Sequence, residues 1–510
     1  MALSLRAAMG GARSLRAPIV GRPAQWHCGV ANAIAGQKRA ISMQALDERK
    51  GDRERIVILG SGWAGYTLSR DLDPRKYQIV VVSPRSYFVF TPLLASTSTG
   101  TLEFRCALEP TRARKGDKLG PQLFQGWADG VDFEKQQLSV EEAVDDPLQG
   151  VGLAAPRGDG DLVKKREKGK VFELGWDRLI VTVGCYSQTF GTKGVRENAY
   201  FLKDVGDAKK IRNRMLSCFE MASLPTTSEE MKRMLLNFAV VGGGPTGIEW
   251  SAELNDIIEE DMPKLYPDLR GYAKVTVYDV APKVLSMFDE KLSGYAMKHF
   301  KRHGIDIKTS HHVQELRTGV PQHVKDKGLI SDAASCYTLN LKEEGEVGVG
   351  MCVWSTGLMM NPFVEKHLQD RLSLHEKTHG ILTDDRLRAK KSDGSFLENV
   401  HALGDCAVME NSAYPATAQV ASQQAGWLAK RLNKGDLAAN GFTYKDLGVM
   451  AYVGNWNAIM QSSGGDVSGR VAWFIWRGAY LAKSVSWRNR ILIPVYWFVN
   501  WLFGRDISRF

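Results

Sequence analysis

Two strand–glycine turn–helix signatures and an aromatic, basic C-terminal end predict an α/β chain. Two Rossmann-like dinucleotide-binding domains should be followed by a smaller domain that lies on a membrane. The first signature is IVILGSGWAGYTLSRDL at residues 56–72, where an apolar run meets Gly60, Gly62 and Gly65. The second is FAVVGGGPTGIEWSAEL at 238–254, where Gly242, Gly244 and Gly247 follow the strand-like Asn237 to Val241. At the C-terminal end, from Val471, tryptophans interleave with arginines and lysines.

Each glycine in such a turn has a physical reason. The first allows the tight turn, the second lets the backbone approach a pyrophosphate, and the third lets helix pack on strand. The helix N-terminus then presents free amides and a partial positive charge to the phosphates. What ends the next strand separates the two sites. After the second turn, KVTVYDVAPKVL places Asp279 at the strand end, displaced by the longer helix and loop of DIIEEDMPKLYPDLR. A carboxylate there accepts from ribose hydroxyls and repels a 2′-phosphate, so NADH is expected over NADPH. After the first turn, YQIVVVS ends at Ser83, Pro84 and Arg85 with no carboxylate.

A later segment, NVHALGDCA at 399–407, assigns the first site. A buried strand ending in Gly404 and Asp405, so far beyond the first turn, is how two-dinucleotide flavoproteins reach a ribityl chain. RLIVTVG, ending at Gly184, and CVWSTG, ending at Gly357, fall where such chains cross between their nucleotide domains. Together they make the first site FAD and the second NADH. A disulfide reductase would need a cysteine pair beside the flavin. The matching region, SYFVFTPLLASTSTGTLEFRC, holds only Cys106, which excludes a dithiol relay.

The remaining composition is restrictive. A chain of 510 residues has room for two or three domains. The net charge of +10 is concentrated at the ends: residues 1–46 carry six Arg/Lys and no acid, and 441–510 carry eight against three Asp. The body is near neutral, so nucleic acid is not an expected partner. The acid-free, Arg-rich stretch 1–46 reads as a mitochondrial transit peptide, with a disordered basic arm as the alternative. The seven scattered cysteines suit a reducing compartment, and neither histidine nor cysteine spacing offers a metal site.

SPRSYFVFTPLL, GGGPTGIE, ALGDCA, PATAQVASQQA and the closing WLFGRDISRF resemble the type II, non-proton-pumping NADH:quinone oxidoreductases, mitochondrial internal type, from residue 54 to the C-terminus. The resemblance implies a discontinuous FAD domain (54–205 and 370–440), an NADH domain (206–369) and a C-terminal membrane-anchoring and dimerisation domain (441–510). It implies that Thr91, Pro92 and Leu93 line one flavin face. It implies that the helix N-terminus at Ala418 stabilises the reduced flavin, and that Gln419 orients ubiquinone. Glu249 would position NADH or relay protons, its alternative being a carboxylate merely well placed in a first helical turn.

The resemblance also implies a homodimer at the matrix side of the inner mitochondrial membrane, since no spanning segment follows the presequence. The longest nearly apolar run, Ile491–Phe503, is about 13 residues against the roughly 20 that a span needs. Trp and Tyr favour the headgroup level and Lys/Arg attract anionic lipid; a core or dimer interface is the alternative for these aromatics. The rivals are a sulfide:quinone oxidoreductase and an NADH-sensing flavoprotein like apoptosis-inducing factor. The charged stretches 141–170 and 318–348 read as surface insertions.

Overall fold

The computed structural model describes residues 42–112, 119–144, 169–326, 335–438, 440–484 and 486–508. Residues 1–41, the bulk of the expected presequence, and 145–168 lie outside the described residues. The chain divides at Arg49/Lys50. Before the division stands the start of the helix Met43–Lys50, and everything below concerns the unit Lys50–Phe510.

The strands Glu54–Leu59 and Tyr77–Ser83 read ERIVIL and YQIVVVS, and every residue but Glu54 is buried. Such continuous β-branched runs suit a parallel sheet covered on both faces. They pair in parallel, Ile56 with Ile79 and Ile58 with Val81. Arg178–Val181 joins on the other side of the first strand, Phe396–Ala402 beyond it, and Gln122–Asp132 beside the second. The far-downstream strand that leads into Gly404 therefore sits two places from the strand of the first glycine turn. At one edge the sheet turns antiparallel through Gln137–Glu142 and Val171–Gly175.

A second parallel sheet runs Ile305–Lys308, Lys274–Tyr278, Asn237–Val241, Met351–Trp354. Beside it lies an antiparallel sheet of Val313–Thr318, Tyr337–Leu341 and Gly345–Val349. This corrects the reading of 318–348 as an insertion for the strands it contains, while residues 327–334 lie outside the described residues. Leu339 and Leu341 are buried against Val241 and Trp354. Three of the segment's eight charged residues form the hairpin turn Lys342–Glu344, closed by Gly345 at φ +74°.

After residue 448 come three antiparallel strands, Val449–Gly454, Asn457–Ser462 and Gly465–Gly469, then the helices Arg470–Lys483 and Trp487–Phe503. Among the described residues no helix is long and apolar enough to cross a membrane. The helix Pro245–Glu260 packs on this C-terminal part, and Ala451, Ile459, Trp473 and Trp476 share a core with Ile248, Trp250 and Leu254.

Candidate functional site

The three glycines of the first turn have separate jobs. Gly60 sits at φ +109°, and a Cβ there would fall 2.5 Å from the Thr182 carbonyl oxygen. A Cβ on Gly65 would fall 2.1 Å from the Gly60 oxygen. Both are glycine because strand and helix crowd them. Gly62 differs: nothing lies within 4 Å of its missing Cβ. It is the N-cap of the helix Trp63–Asp71, and no side chain caps that helix. Uncapped first-turn amides that face open space are an anion site.

That space is a cavity of about 440 Å³, lined by Gly60 and Gly62, by Ser83, Pro84 and Arg85, by Thr91 and Gly184, and by Gly404, Asp405 and Ala418. The structure thus gathers residues from three distant stretches of chain around one space. Gly65, Pro92 and Leu93 do not line it; Leu93 is buried beneath it among Phe88 and Phe90. The volume, the clear approach at Gly62 and the uncapped helix fit a dinucleotide such as FAD.

Local bonding shows how the lining is held. The Ser61 and Ser83 hydroxyls lie 2.9 Å apart. Arg85 Nη1 donates to Asp204 Oδ2 at 2.5 Å, and the Tyr87 hydroxyl donates to Asp204 Oδ1 at 3.1 Å. Asp204 also caps the helix Val205–Ser223. Gly404 takes φ +71° and donates its amide to Gln424 Oε1 at 2.8 Å.

Cys185 and Lys203 are among the lining residues that escaped the sequence reading. The Cys185 thiol donates to Asp405 Oδ2 at 3.1 Å, and Lys203 Nζ donates to the Cys185 oxygen at 3.1 Å. Burial pushes this thiol up to about 12, so it is not a thiolate nucleophile. Cys106 lies apart, buried with Tyr66, Phe88 and Leu102.

The second turn repeats the first. Gly242 has φ +111° with the Ser355 oxygen 2.5 Å from its Cβ position, Gly247 is pressed on the Gly242 oxygen, and Gly244 faces open space. Gly244 is the uncapped N-cap of Pro245–Glu260. Asp279 accepts from Gly243 N at 2.5 Å and from Ala281 N at 2.7 Å. Its carboxylate holds the turn, and each oxygen keeps a lone pair for a ribose hydroxyl. Gly357 accepts at its carbonyl from Gln188 N at 3.0 Å. Thr246 and Leu358, flanking this second site, also line the first cavity.

Glu249 and Gln419 stand outside the cavity lining. Glu249 points into the C-terminal part, where Oε1 accepts from Tyr452 N at 3.1 Å and Trp476 Nε1 at 3.3 Å. Burial pushes its carboxyl up to about 8, with the two donors pulling the other way. Gln419 Nε2 donates to the Gly448 oxygen at 2.8 Å, and Oε1 accepts from Leu447 N and the Tyr444 hydroxyl, each at 3.2 Å. It ties the start of the helix Ala418–Lys434 to residues 444–448, and one amide hydrogen remains for a ligand. Among the described residues no cluster of side chains could hold a metal ion.

Comparison with known proteins agrees with this geometry. Residues 54–425 match the pyridine nucleotide-disulphide oxidoreductase family, and 447–506 match the NDH2 C-terminal domain. A Dictyostelium discoideum protein named "Probable NADH dehydrogenase" is 38% identical over 90% of this chain and 92% of its own. The internal alternative NAD(P)H-ubiquinone oxidoreductase A1 of Solanum tuberosum is 36% identical, covering 91% and 90%. Relatives named external alternative enzymes match at 31–33%. The NDH2 structure from Plasmodium falciparum in complex with NADH superposes with a TM-score of 0.76 at 23% identity, over 89% of this chain and all of that one. The resemblance first seen in short motifs extends along the whole described body, and the chain belongs to the type II, or alternative, NADH dehydrogenases, a family of oxidoreductases.

Proposed function

We propose that this chain oxidises NADH at the second glycine turn and passes two electrons, through FAD held at the first, to ubiquinone. It does so on the matrix face of the inner mitochondrial membrane without pumping protons. The observation that carries the reading is the position of the 440 Å³ cavity. On one side it is closed by Thr246 and Leu358 of the NADH half; on another by Thr91 and Trp63. Behind Trp63, whose indole donates to Thr91 Oγ1 at 3.1 Å, an apolar cluster of Tyr66, Phe88, Phe90 and Leu93 continues to Ile493 and Trp497. That cluster meets the exposed aromatic helix, so apolar side chains join the flavin cavity to the helix that would face lipid and quinone. The potato enzyme's name supports the internal assignment, and the expected domain boundaries and homodimer are part of the same proposal.

When bound, FAD supplies a two-electron store that accepts hydride equivalents from a nicotinamide. The chain's part is placement. Gly62 and the amides behind it hold pyrophosphate, Asp405 reaches the ribityl chain, and Asp279 holds the NADH ribose. The N-terminus of the helix Ala418–Lys434 opens on the cavity at Ala418, where its positive end would stabilise negative charge on a bound ring. Gln419 directs its remaining N–H at the quinone.

Quinone reduction also takes up protons, and Glu249 is poised to hold one. Both donors engage Oε1, so its proton resides on Oε2. The groups around it are Glu253 on its own helix, Tyr452 on the neighbouring strand, and Trp476 and Tyr480 on the helix Arg470–Lys483. An unfolded glutamate titrates near ~4.3. Folding therefore takes up a proton between that value and about 8. The contribution of this proton to stability is complete at low pH and is lost as pH rises through the folded value. Glu249→Gln should gain on the parent in thermal melts as pH rises from about 5 to about 8.5, by at least about 2 °C. The variant should lose the basic limb near pH 8 in ubiquinone reduction while NADH still reduces the flavin. A parallel pH dependence of melting, or an unchanged basic limb, removes the proton role.

A further inference from the structure

Gly357 lies between Ser355, whose oxygen packs on Gly242 of the second glycine turn, and Leu358, which lines the flavin cavity, so it stands between the two nucleotide sites. A side chain with no role inside the fold stands beside it. Phe190 lies in the loop between the strand Cys185–Ser187 and the helix Val195–Asn198. The Gln188 oxygen accepts from Trp354 Nε1 at 2.9 Å and Thr356 Oγ1 at 2.8 Å, and Gln188 N donates to the Gly357 oxygen at 3.0 Å. Phe190 N donates to Gln188 Oε1 at 3.0 Å. At the far end Leu316 N donates to the Lys193 oxygen at 2.9 Å, and Lys193 pairs with Glu315 at 2.7 Å. The loop is thus pinned on both sides to strands of the NADH half.

Between the pins, Phe190 adopts φ +54° although Gly191 follows it. Left-handed backbone is unfavourable for an aromatic residue, and such outliers gather at binding sites. Phe190 is 68% exposed, more than any other large apolar residue before residue 470 among the described residues. Strain and exposure are both unfavourable, and nothing in the fold offsets them. The ring tip, Cζ, lies 3.4 Å from the position of a Cβ on Gly357. The next residue, Leu358, is itself 46% exposed and lines the flavin cavity with Thr246.

We propose that Phe190 is a wall of the nicotinamide site, against which the nicotinamide ring of NADH packs as it reaches the flavin cavity; this rests on the reading of the second turn as the NADH site. Gly357 is glycine here because a side chain would intrude between the ring and the passage. The aromatic face stacks on the neutral dihydronicotinamide and attracts the cationic ring of NAD⁺, so it acts on substrate and product alike.

The test uses the FAD-loaded protein. Asparagine tolerates left-handed backbone, so Phe190→Asn should melt at or above the parent temperature. The NADH concentration for half-maximal flavin reduction should rise roughly three- to tenfold, and the thermal shift produced by NAD⁺ should shrink. FAD content and flavin reoxidation by ubiquinone should not change, and Phe190→Tyr should restore NADH dependence. An Asn variant with the parent's NADH dependence overturns the proposal, as does one that only melts earlier. If the parent flavin is not reduced by NADH at all, the reading of the second turn falls and the wall with it. If the parent is reduced and the variants are indistinguishable from it, only the role of Phe190 falls.

Discussion

Gly62→Val gives a folded, colourless protein. The backbone at Gly62 has φ −77°, which valine adopts without strain, and its Cβ direction is clear to 4 Å. The fold therefore has no objection to the side chain beyond a weaker N-cap, about 1 kcal/mol. The space that the two added methyl groups take is the space through which the pyrophosphate approaches the helix N-terminus. FAD is lost, and with it the stabilisation that any tightly bound ligand gives the folded state, about 2.7 kcal/mol at a hundredfold excess over Kd. Gly65→Val is the contrast: its Cβ would stand 2.1 Å from the Gly60 oxygen and 2.7 Å from Thr182 Oγ1, so it should not fold. Absorbance near about 450 nm reports the flavin and circular dichroism reports the fold. A yellow, active Gly62→Val would overturn the first-site assignment.

Replacing exposed aromatics of the last helix releases the protein from liposomes without unfolding it. Phe498, Trp501 and Phe503 are 60%, 66% and 79% exposed. Conversion of all three to serine removes little from the core. It should weaken partition by about 3 kcal/mol, roughly a hundredfold. Truncation of residues 471–510 cannot make this distinction, because Trp473 and Trp476 belong to the main core, Trp476 bonded to Glu249, and Ile493 shares a buried cluster with Phe88 and Phe90. Co-sedimentation with anionic vesicles and the melting temperature are read together. Undiminished binding contradicts the anchor, and loss of a dimer with vesicle binding intact assigns the face to a second copy.

Local chemistry was legible and long-range partnership was not. Glycine turns announce themselves because steric crowding at Gly60, Gly65, Gly242 and Gly247 admits no side chain, so the need is written into the turn itself even though Thr182 and Ser355 supply part of the crowding from afar. The aromatic end was legible only as a mixture. Trp473 and Trp476 are buried while Phe474 is 70% exposed, since an amphipathic helix places both faces in one short string. Cys185 and Lys203 carry no sequence signal: the cysteine gains its meaning from Asp405, 220 residues away. Gln419 was legible only through the family resemblance, and its bonds to 444–448 depend on how that segment returns. Phe190 could not be seen at all, because an exposed phenylalanine and its left-handed backbone leave no trace in composition or periodicity.

The most direct test of the account is anaerobic. NADH is added to the purified, FAD-loaded protein and the absorbance near about 450 nm is followed; ubiquinone is then added to the same cuvette. Bleaching by NADH and full return with ubiquinone is the predicted result, since both substrates then communicate through one flavin. Bleaching that ubiquinone fails to reverse would contradict the assignment of the apolar cluster and the membrane face to a quinone, and leave an NADH-reduced flavoprotein with another acceptor.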